Sequence, residues 1–144
     1  MEKAGPIVII EDDQDDQSIF ASCLENLHYE NEIVFFDDGF KALEYLSQSE
    51  VKPFLIISDI NMPKLNGFAL RDIIHEDDAL RLKCTPYIFF TTTRSEENVT
   101  DAYAKSIQGY FVKPNSFKEW ENDLKMVIEY WKTCKAPPHK HKRT

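Results

Sequence analysis

The stretch FLIISDINMPKLNG, residues 54–67, decides the fold. It opens with five apolar or small residues and then stops at a carboxylate, Asp59, before a loop that ends in Gly67. A continuous apolar run of this length, without alternation, predicts a strand that is covered on both faces, as in a parallel sheet. The pattern therefore places a single acid at the carboxyl end of a buried strand.

Other parts of the chain repeat this design. Similar apolar runs lie at 6–10 (PIVII), 32–36 (EIVFF), 86–90 (PYIFF) and 109–112 (GYFV). Between them, apolar residues recur at spacings of three and four, which predicts helices at 15–28, 39–48, 66–75, 95–106 and 116–131. Five strands that alternate with five helices predict an α/β fold, a doubly wound parallel sheet built from βαβ units. A chain of this size fits the flavodoxin-like strand order 2-1-3-4-5, in which a ligand crevice lies beyond the carboxyl ends of strands 1 and 3.

Composition is that of one globular domain. The chain has 144 residues, of which 42% are hydrophobic and 29% are charged. No apolar run approaches the roughly 18 residues that a membrane span needs, and the N-terminus has too short an apolar stretch for a signal peptide. We therefore expect a cytoplasmic protein that does not act at a membrane. The cysteines, Cys23, Cys84 and Cys134, are far apart and indicate neither a disulfide framework nor a zinc site.

Charge is distributed unevenly. Residues 132–144 contain five basic residues and no acid, which gives them a charge of +5. Because the whole chain has a net charge of −8, residues 1–131 carry −13. We expect a folded domain at 1–131 and a flexible basic tail at 132–144. So acidic a domain is a poor candidate for binding nucleic acid.

Acidic residues follow two strands that the predicted topology makes neighbours. Strand 1 runs into EDDQDD, beginning with Glu11 and Asp12, and strand 3 runs into Asp59. Carboxylates crowded at one edge raise each other's pKa and destabilise the fold unless a cation joins them. Oxygen ligands without His or Cys favour a hard cation, and a site with room for water and phosphate oxygens favours Mg²⁺.

Two further strand ends complete the predicted site. Strand 4 runs into Thr91 and strand 5 runs into Lys113. A hydroxyl, an ammonium, a carboxylate and Mg²⁺ around one point suit the transfer of a phosphoryl group to Asp59. The later acids of the first run, Asp13, Asp15 and Asp16, are expected to cap helix 1 and interact with its dipole. We expect them to have at most an indirect role at the metal, through other residues.

Four motifs in this order, IVIIEDD, LIISDINMPKLNG, PYIFFTTT and GYFVKP, carry a resemblance to a known family. Over about residues 6–131 the chain resembles the response-regulator receiver domains of two-component signalling, which have the CheY-like fold. The resemblance implies that Asp59 is the phosphoacceptor and that Mg²⁺ is held by Glu11, Asp12, Asp59 and the backbone carbonyl of Asn61. Glu11 stands where Asp is commoner, so we expect Asp12 to bind the metal directly and Glu11 to act through water.

The resemblance also implies a switch. Thr91 and Lys113 would contact the phosphoryl group, and Tyr110 would be the aromatic residue that moves inward. The bond from Lys113 to Pro114 is expected to be cis. The rearranged surface would be the face formed by the fourth helix, the fifth strand and the fifth helix.

Partners follow from the same resemblance. The donor would be a sensor histidine kinase or a phosphotransfer protein, and the motif order resembles stand-alone regulators that work with phytochrome-type or hybrid kinases. Only 13 residues follow Trp131, so we expect output through binding to another, unknown protein or to a second copy through the switch face, or else through phosphate relay. The chain would not be an enzyme beyond losing its own phosphate.

Two alternatives use related folds. A phosphohydrolase of the haloacid-dehalogenase type also has an Asp nucleophile and Mg²⁺, but it needs a general acid two residues later, where this chain has the amide Asn61. A flavodoxin-like FMN binder needs a phosphate loop rich in Ser, Thr and Gly after strand 1, and the acidic run would repel a phosphate.

Overall fold

A computed structural model describes residues 1–138 of the chain. Its strands are β1 (Ile7–Ile10), β2 (Ile33–Phe36), β3 (Leu55–Ser58), β4 (Tyr87–Thr91) and β5 (Gly109–Val112). All neighbouring strands pair in parallel, in the order β2-β1-β3-β4-β5. The predicted α/β fold class and the predicted strand order are confirmed.

Helices connect the strands. They are α1 (Gln14–Leu27), α2 (Gly39–Leu46), α3 (Gly67–Glu76), α4 (Asp78–Arg81), α5 (Glu96–Ala104) and α6 (Phe117–Thr133). The short helix α4 is an addition to the five predicted helices. Asp77 caps it, because its Oδ1 accepts from Leu80 N at 3.0 Å. Leu80 is the buried residue of this helix. One turn with one apolar residue has no periodicity to detect. The predicted fourth and fifth helices are therefore α5 and α6.

Alternate residues of each central strand belong to two separate hydrophobic cores. Ile7 and Ile9 of β1 face α1 and α6, whereas Val8 and Ile10 face α2, α3 and α5. The first core includes Phe20, Trp120 and Leu124. The strands thus look uniformly apolar in the sequence because both of their faces are covered.

The last described residues pack against the hydrophobic core next to α6. Ala136, beyond α6, packs against the α1–α6 core. The predicted flexible tail at 132–144 overlaps α6, which continues to Thr133, and its residues 139–144 lie outside the described residues. Within residues 1–138, no helix is both long enough and apolar enough to span a bilayer.

Candidate functional site at the carboxyl edge of the sheet

Strand register brings the predicted acids together. Ile10 at the end of β1 pairs with Ser58 at the end of β3, and Asp59 N donates to Ile10 O at 3.0 Å. The next residue on each strand is therefore an acid, Glu11 on one and Asp59 on the other. Glu11, Asp12 and Asp59 each offer a carboxylate oxygen, and these oxygens lie within 4.8 Å of one another. Glu11 and Asp59 are buried whereas Asp12 is exposed, so the cluster opens to solvent on one side.

Asp59 is fixed in orientation by three hydrogen bonds. Its Oδ1 accepts from Ile60 N at 2.7 Å, and its Oδ2 accepts from Lys113 Nζ at 2.9 Å. Its backbone oxygen accepts from the Ser58 hydroxyl at 2.7 Å. Because the residue is only 8% exposed, its carboxylate is held in one place and has limited contact with water.

Lys113 lies at the centre of the site. Its ammonium donates to Glu11 Oε1 at 2.7 Å, Asp16 Oδ2 at 2.6 Å and Asp59 Oδ2 at 2.9 Å. Lysine has three N–H donors, and each has a carboxylate partner here. Burial alone lowers the pKa of Lys113, but the hydrogen bonds to Asp16, Glu11 and Asp59 outweigh that effect and raise the pKa above its ordinary value.

Glu11 has a strongly perturbed acidity. Burial raises its pKa from 4.5 to about 7, although the hydrogen bond and charge of Lys113 act in the opposite direction. Its second oxygen, Oε2, accepts from Asp13 N at 3.1 Å. The ammonium beside this buried carboxylate stabilises its charged form, but not enough to return its pKa to the ordinary value.

Asp16 is a residue of the site that sequence reasoning assigned to the helix. It occupies the first turn of α1, where Asp13 Oδ1 accepts from its backbone N at 3.0 Å as predicted for a helix cap. Its side chain, however, reaches Lys113 at the end of β5. No signal in the sequence distinguished Asp16 from the other acids of the first turn, because the helix dipole accounts for each of them.

Thr91 ends β4, and Tyr110 lies within the neighbouring strand β5. Thr91 is fully buried, and its hydroxyl has no hydrogen-bond partner among the described residues. Its backbone oxygen accepts from Lys113 N at 2.8 Å, which ties the two strand ends together. Tyr110 is half-buried and donates its hydroxyl to Thr93 O at 3.0 Å. Burial, and then the charge of Asp59, raise the pKa of Tyr110.

The loop after β3 passes very close to Asp59. A Cβ on Gly67 would overlap the carbonyl oxygen of Asp59 and would lie 2.9 Å from Ile60 Cα. Gly67 N also donates to Ile60 O at 2.8 Å. Glycine is therefore required here for close approach rather than for an unusual φ. Asn61 is exposed in the same loop, and its role as a metal ligand stays a prediction.

The expected cis bond before Pro114 is wrong. No peptide bond within residues 1–138 is cis, so the bond from Lys113 to Pro114 is trans. The trans form is favoured by about 0.5–1 kcal/mol for bonds to proline. With this geometry Lys113 already reaches its carboxylates, and Pro114 O accepts from Trp120 Nε1 at 2.9 Å.

A hard divalent cation fits these residues. The acid cluster consists of oxygen ligands, is open on the side of Asp12, and carries more negative charge than one lysine can balance. Those are the properties of a Mg²⁺ site with few protein ligands and several waters. The predicted ligands Glu11, Asp12 and Asp59 are therefore placed together, as their strand ends required.

Comparison with known proteins gives a consistent result. The sequence model described as "Response regulator receiver domain" matches residues 7–125. The probable methanogenesis regulatory protein FilR2 of Methanothrix harundinacea is 27% identical over 129 residues, covering 87% of this chain and 82% of that protein. Response regulator Rcp1 of Synechocystis is 26% identical over 131 residues, covering 87% of each.

Solved structures agree on the fold. The phosphorylated cyanobacterial phytochrome response regulator RcpA has a TM-score of 0.83 and 25% identity, covering 94% of this chain and 99% of that one. The Mn²⁺-bound form of Rcp1 has a TM-score of 0.81 and 24% identity, covering 93% and 99%.

Proposed function

Because this chain belongs to the response regulator receiver domain family, we propose that it is a phosphorylation switch whose acceptor is Asp59. One observation carries the proposal: Asp59 lies buried against the ammonium of Lys113 and within reach of Glu11 and Asp12. The grouping supplies a nucleophilic oxygen and positive charge for the phosphoryl oxygens. The donor is proposed to be a sensor histidine kinase or a phosphotransfer protein.

The chemical step is a phosphoryl transfer. An Asp59 carboxylate oxygen forms a bond to phosphorus while the P–N bond of the donor phosphohistidine breaks, and the imidazole keeps the electron pair and takes up a proton. Ile60 N and Lys113 hold the carboxylate in place before the donor arrives. Bound Mg²⁺ would supply charge that neutralises the transferred group, and Glu11, Asp12 and Asp59 would hold it, with the carbonyl of Asn61 as a further proposed ligand.

Thr91 supports the switch part of the proposal. A buried hydroxyl without a partner is costly, by about 1–3 kcal/mol. Thr91 has such a hydroxyl among the described residues, and its backbone oxygen accepts from Lys113 N. A phosphoryl oxygen on Asp59 would give this hydroxyl an acceptor. Tyr110, hydrogen-bonded to Thr93 O, is proposed to move inward with it.

The output is proposed to be partner binding through the face of α5, β5 and α6. This face exposes Tyr103 by 51%, Met126 by 58% and Tyr130 by 61%. A groove of about 350 Å³ lies on the β5 and α6 side of this face and is lined by Ile88, Gln108, Phe111, Met126, Val127, Tyr130 and Trp131. The occupant is proposed to be an output protein or a second copy of this chain. Light scattering of the chain alone, before and after phosphorylation, distinguishes them. A doubled mass indicates a second copy, and an unchanged mass indicates an output protein, which is not in the sample.

The kinase partner is proposed from the relatives. RcpA is named as a cyanobacterial phytochrome response regulator, and this chain spans nearly all of it. A phytochrome-type or hybrid histidine kinase is therefore the first donor to test. The proposed site of action is the cytoplasm.

We propose no turnover of outside substrates. A phosphohydrolase of the haloacid-dehalogenase type needs a proton donor two residues after the nucleophile, and the amide of Asn61 cannot serve. The chain is proposed to release phosphate only from its own Asp59, by attack of water on phosphorus.

Intact-mass measurement tests the proposal. The chain is incubated with Mg²⁺ and acetyl phosphate, whose P–O bond breaks as acetate leaves. We expect the mass of one phosphoryl group to be added, and Asp59→Asn to abolish the addition. Asp37→Asn is the matched control, because Asp37 is an exposed acid that follows β2 at the same edge. Uptake by Asp59→Asn, or steady hydrolysis of added phosphomonoesters, would overturn the proposal.

A further inference from the structure

We propose that Asp16 is a positioning residue: it holds the ammonium of Lys113 and thereby frees Glu11 and Asp59 to bind a divalent cation. The inference rests on the proposed Mg²⁺-dependent function and adds a residue to it. It assigns a site role to an acid whose position in the sequence predicts only a contribution to the first turn of α1.

The geometry of Lys113 gives Asp16 a distinct place among its partners. The contact from Nζ to Asp16 Oδ2 is 2.6 Å, against 2.7 Å to Glu11 and 2.9 Å to Asp59. The side chain of Asp16 is 22% exposed, whereas those of Glu11 and Asp59 are 1% and 10% exposed. Asp16 therefore lies on the solvent side of the ammonium, and the other two acids lie on the inner side.

The inner acids have two competing uses. Glu11 and Asp59 both accept hydrogen bonds from Lys113 and both belong to the group of acids that can hold a metal. An ammonium and a divalent cation on the same two carboxylates repel each other strongly at this depth. Lys113 must therefore loosen both contacts when these carboxylates bind a cation.

Asp16 provides a carboxylate that can still accept from the Lys113 ammonium when Glu11 and Asp59 bind a cation. It is not part of the group formed by Glu11, Asp12 and Asp59, so its carboxylate stays available to the ammonium. A buried lysine left without an acceptor is strongly destabilising. With Asp16 in place the ammonium can shift outward and keep a charged partner, which lowers the free energy of the cation-bound state.

The ordinary explanation of Asp16 does not account for its side chain. An acid in the first turn of a helix interacts favourably with the helix dipole wherever its side chain points. Asp15, its neighbour in the same turn, is exposed and plays that part. Asp16 instead turns to a residue 97 positions away.

Calorimetric titration with Mg²⁺ tests the inference on the full chain. We expect Asp16→Asn to weaken Mg²⁺ binding roughly three- to tenfold, the range for loss of a charge-assisted hydrogen bond. Asp15→Asn is the matched control, because it removes the same charge from the same helical turn, and we expect a change below about twofold. Asp16→Glu keeps the carboxylate and should restore most of the affinity.

A second background separates action through Lys113 from a direct effect on the metal. With Lys113→Met, Asp16→Asn should weaken Mg²⁺ binding no more than Asp15→Asn does. Persistence of the full effect in that background would overturn the inference, as would equal effects of Asp15→Asn and Asp16→Asn in the natural sequence. Circular dichroism establishes that each variant is folded. If Asp16→Asn is not folded, Asp16→Ser measured against Asp15→Ser replaces that pair, with the same expected difference in Mg²⁺ affinity.

Failure of the proposed function gives a different result. A chain that binds Mg²⁺ but takes up no phosphoryl group from acetyl phosphate would end the proposed function and leave the comparison of Asp16 with Asp15 intact. A natural sequence that binds no Mg²⁺ would overturn the inference itself.

Discussion

Two lysines at opposite edges of the sheet make the same number of hydrogen bonds to very different partners. At the carboxyl edge, Lys113 donates to carboxylates of Glu11, Asp16 and Asp59. At the amino edge, the half-buried Lys83 donates to the backbone oxygens of Leu46 at 2.6 Å, Gln48 at 2.9 Å and Val51 at 2.7 Å. Burial lowers the pKa of Lys83, whereas the carboxylates raise that of Lys113.

The difference in partners distinguishes a structural role, that of Lys83, from a role in the proposed switch, that of Lys113. Lys83 donates to carbonyls at and after the end of α2, and those carbonyls keep the same charge under all conditions. Lys113 balances acids that we propose bind a cation and accept a phosphoryl group, and one of them, Glu11, has a pKa raised to about 7. Only the second arrangement can respond to a chemical signal, because only there does the charge of the partners change.

The largest expected effect comes from removing each lysine. We expect Lys113→Met to lower the rate of phosphoryl uptake from acetyl phosphate at least about tenfold, the scale for a lost electrostatic stabiliser. Lys83→Met should leave that rate unchanged and lower the free energy of unfolding, because its carbonyl acceptors lose their partner. Intact-mass time courses and urea unfolding measure the two quantities. Equal uptake rates in the two variants would break the comparison.

Two glycines, Gly67 at the carboxyl edge and Gly5 at the amino edge of the sheet, allow the same comparison of the two edges. A Cβ at Gly67 would overlap Asp59 O, and a Cβ at Gly5 would overlap Lys52 O at the amino edge. Both overlaps involve backbone, so Gly67→Ala and Gly5→Ala should each lower the free energy of unfolding by about 3 kcal/mol, toward the upper end for overpacking.

The two glycine variants should differ in metal binding. Gly67→Ala displaces the backbone of Asp59 and should weaken Mg²⁺ binding, whereas Gly5→Ala should not. Calorimetry on the folded variants measures this, and weakened binding in Gly5→Ala would contradict the separation of the two edges.

The acidity of Glu11 predicts a pH dependence of the metal-free protein. Its pKa is about 7 in the folded chain against 4.5 in the unfolded chain, so the folded chain binds the extra proton between these values. The free energy of unfolding therefore falls as pH rises through this window, by up to about 3 kcal/mol.

Urea unfolding at pH 5 and pH 7.5 checks the sign. The natural sequence should lose stability relative to Glu11→Gln as pH rises, since the amide carries no proton to lose. Glu25→Gln, at an exposed position of α1, should follow the natural sequence. A difference that grows in the opposite direction would refute this account of Glu11.

The smallest expected effect concerns Tyr110. Its hydroxyl donates to the neutral backbone oxygen of Thr93, a partner of the same kind as those of Lys83. Tyr110→Phe should cost about 1 kcal/mol of unfolding free energy and leave the rate of phosphoryl uptake unchanged. Tyr103→Phe is the control, because that side chain is 51% exposed. A large loss of uptake in Tyr110→Phe would show that the neutral hydrogen bond also belongs to the reacting site.

Much of the site could be predicted because its residues directly follow the apolar runs that form the strands. Parallel strands end at one edge, so an acid after β1 and another after β3 must meet once the strand order is known. The loop after β3 ends at Gly67, where an added Cβ would overlap Asp59 O, so the need for glycine became clear only from the structure. The roles of Asn61, Thr91 and Tyr110 stay predictions that the experiments above address.

Other features lacked a local signal. The short helix α4 contributes one buried residue, Leu80, which is too few for a periodic pattern. The trans bond before Pro114 was missed because a family expectation outweighed the ordinary preference for trans. The side chain of Asp16 was missed because the first turn of a helix offered a sufficient local explanation for an acid.

The sequence by itself determined the alternating strands and helices and the acids that follow β1 and β3, because apolar periodicity and strand ends are local properties of the chain. Only the tertiary structure decided which carboxylates surround Lys113. Its three partners lie 54 to 102 positions away, and the direction of each side chain depends on packing among elements that are far apart along the chain. The hydrogen bonds of Lys113 depend on atomic positions to within tenths of an ångström. Those positions are set only when the sheet and helix α1 have packed together.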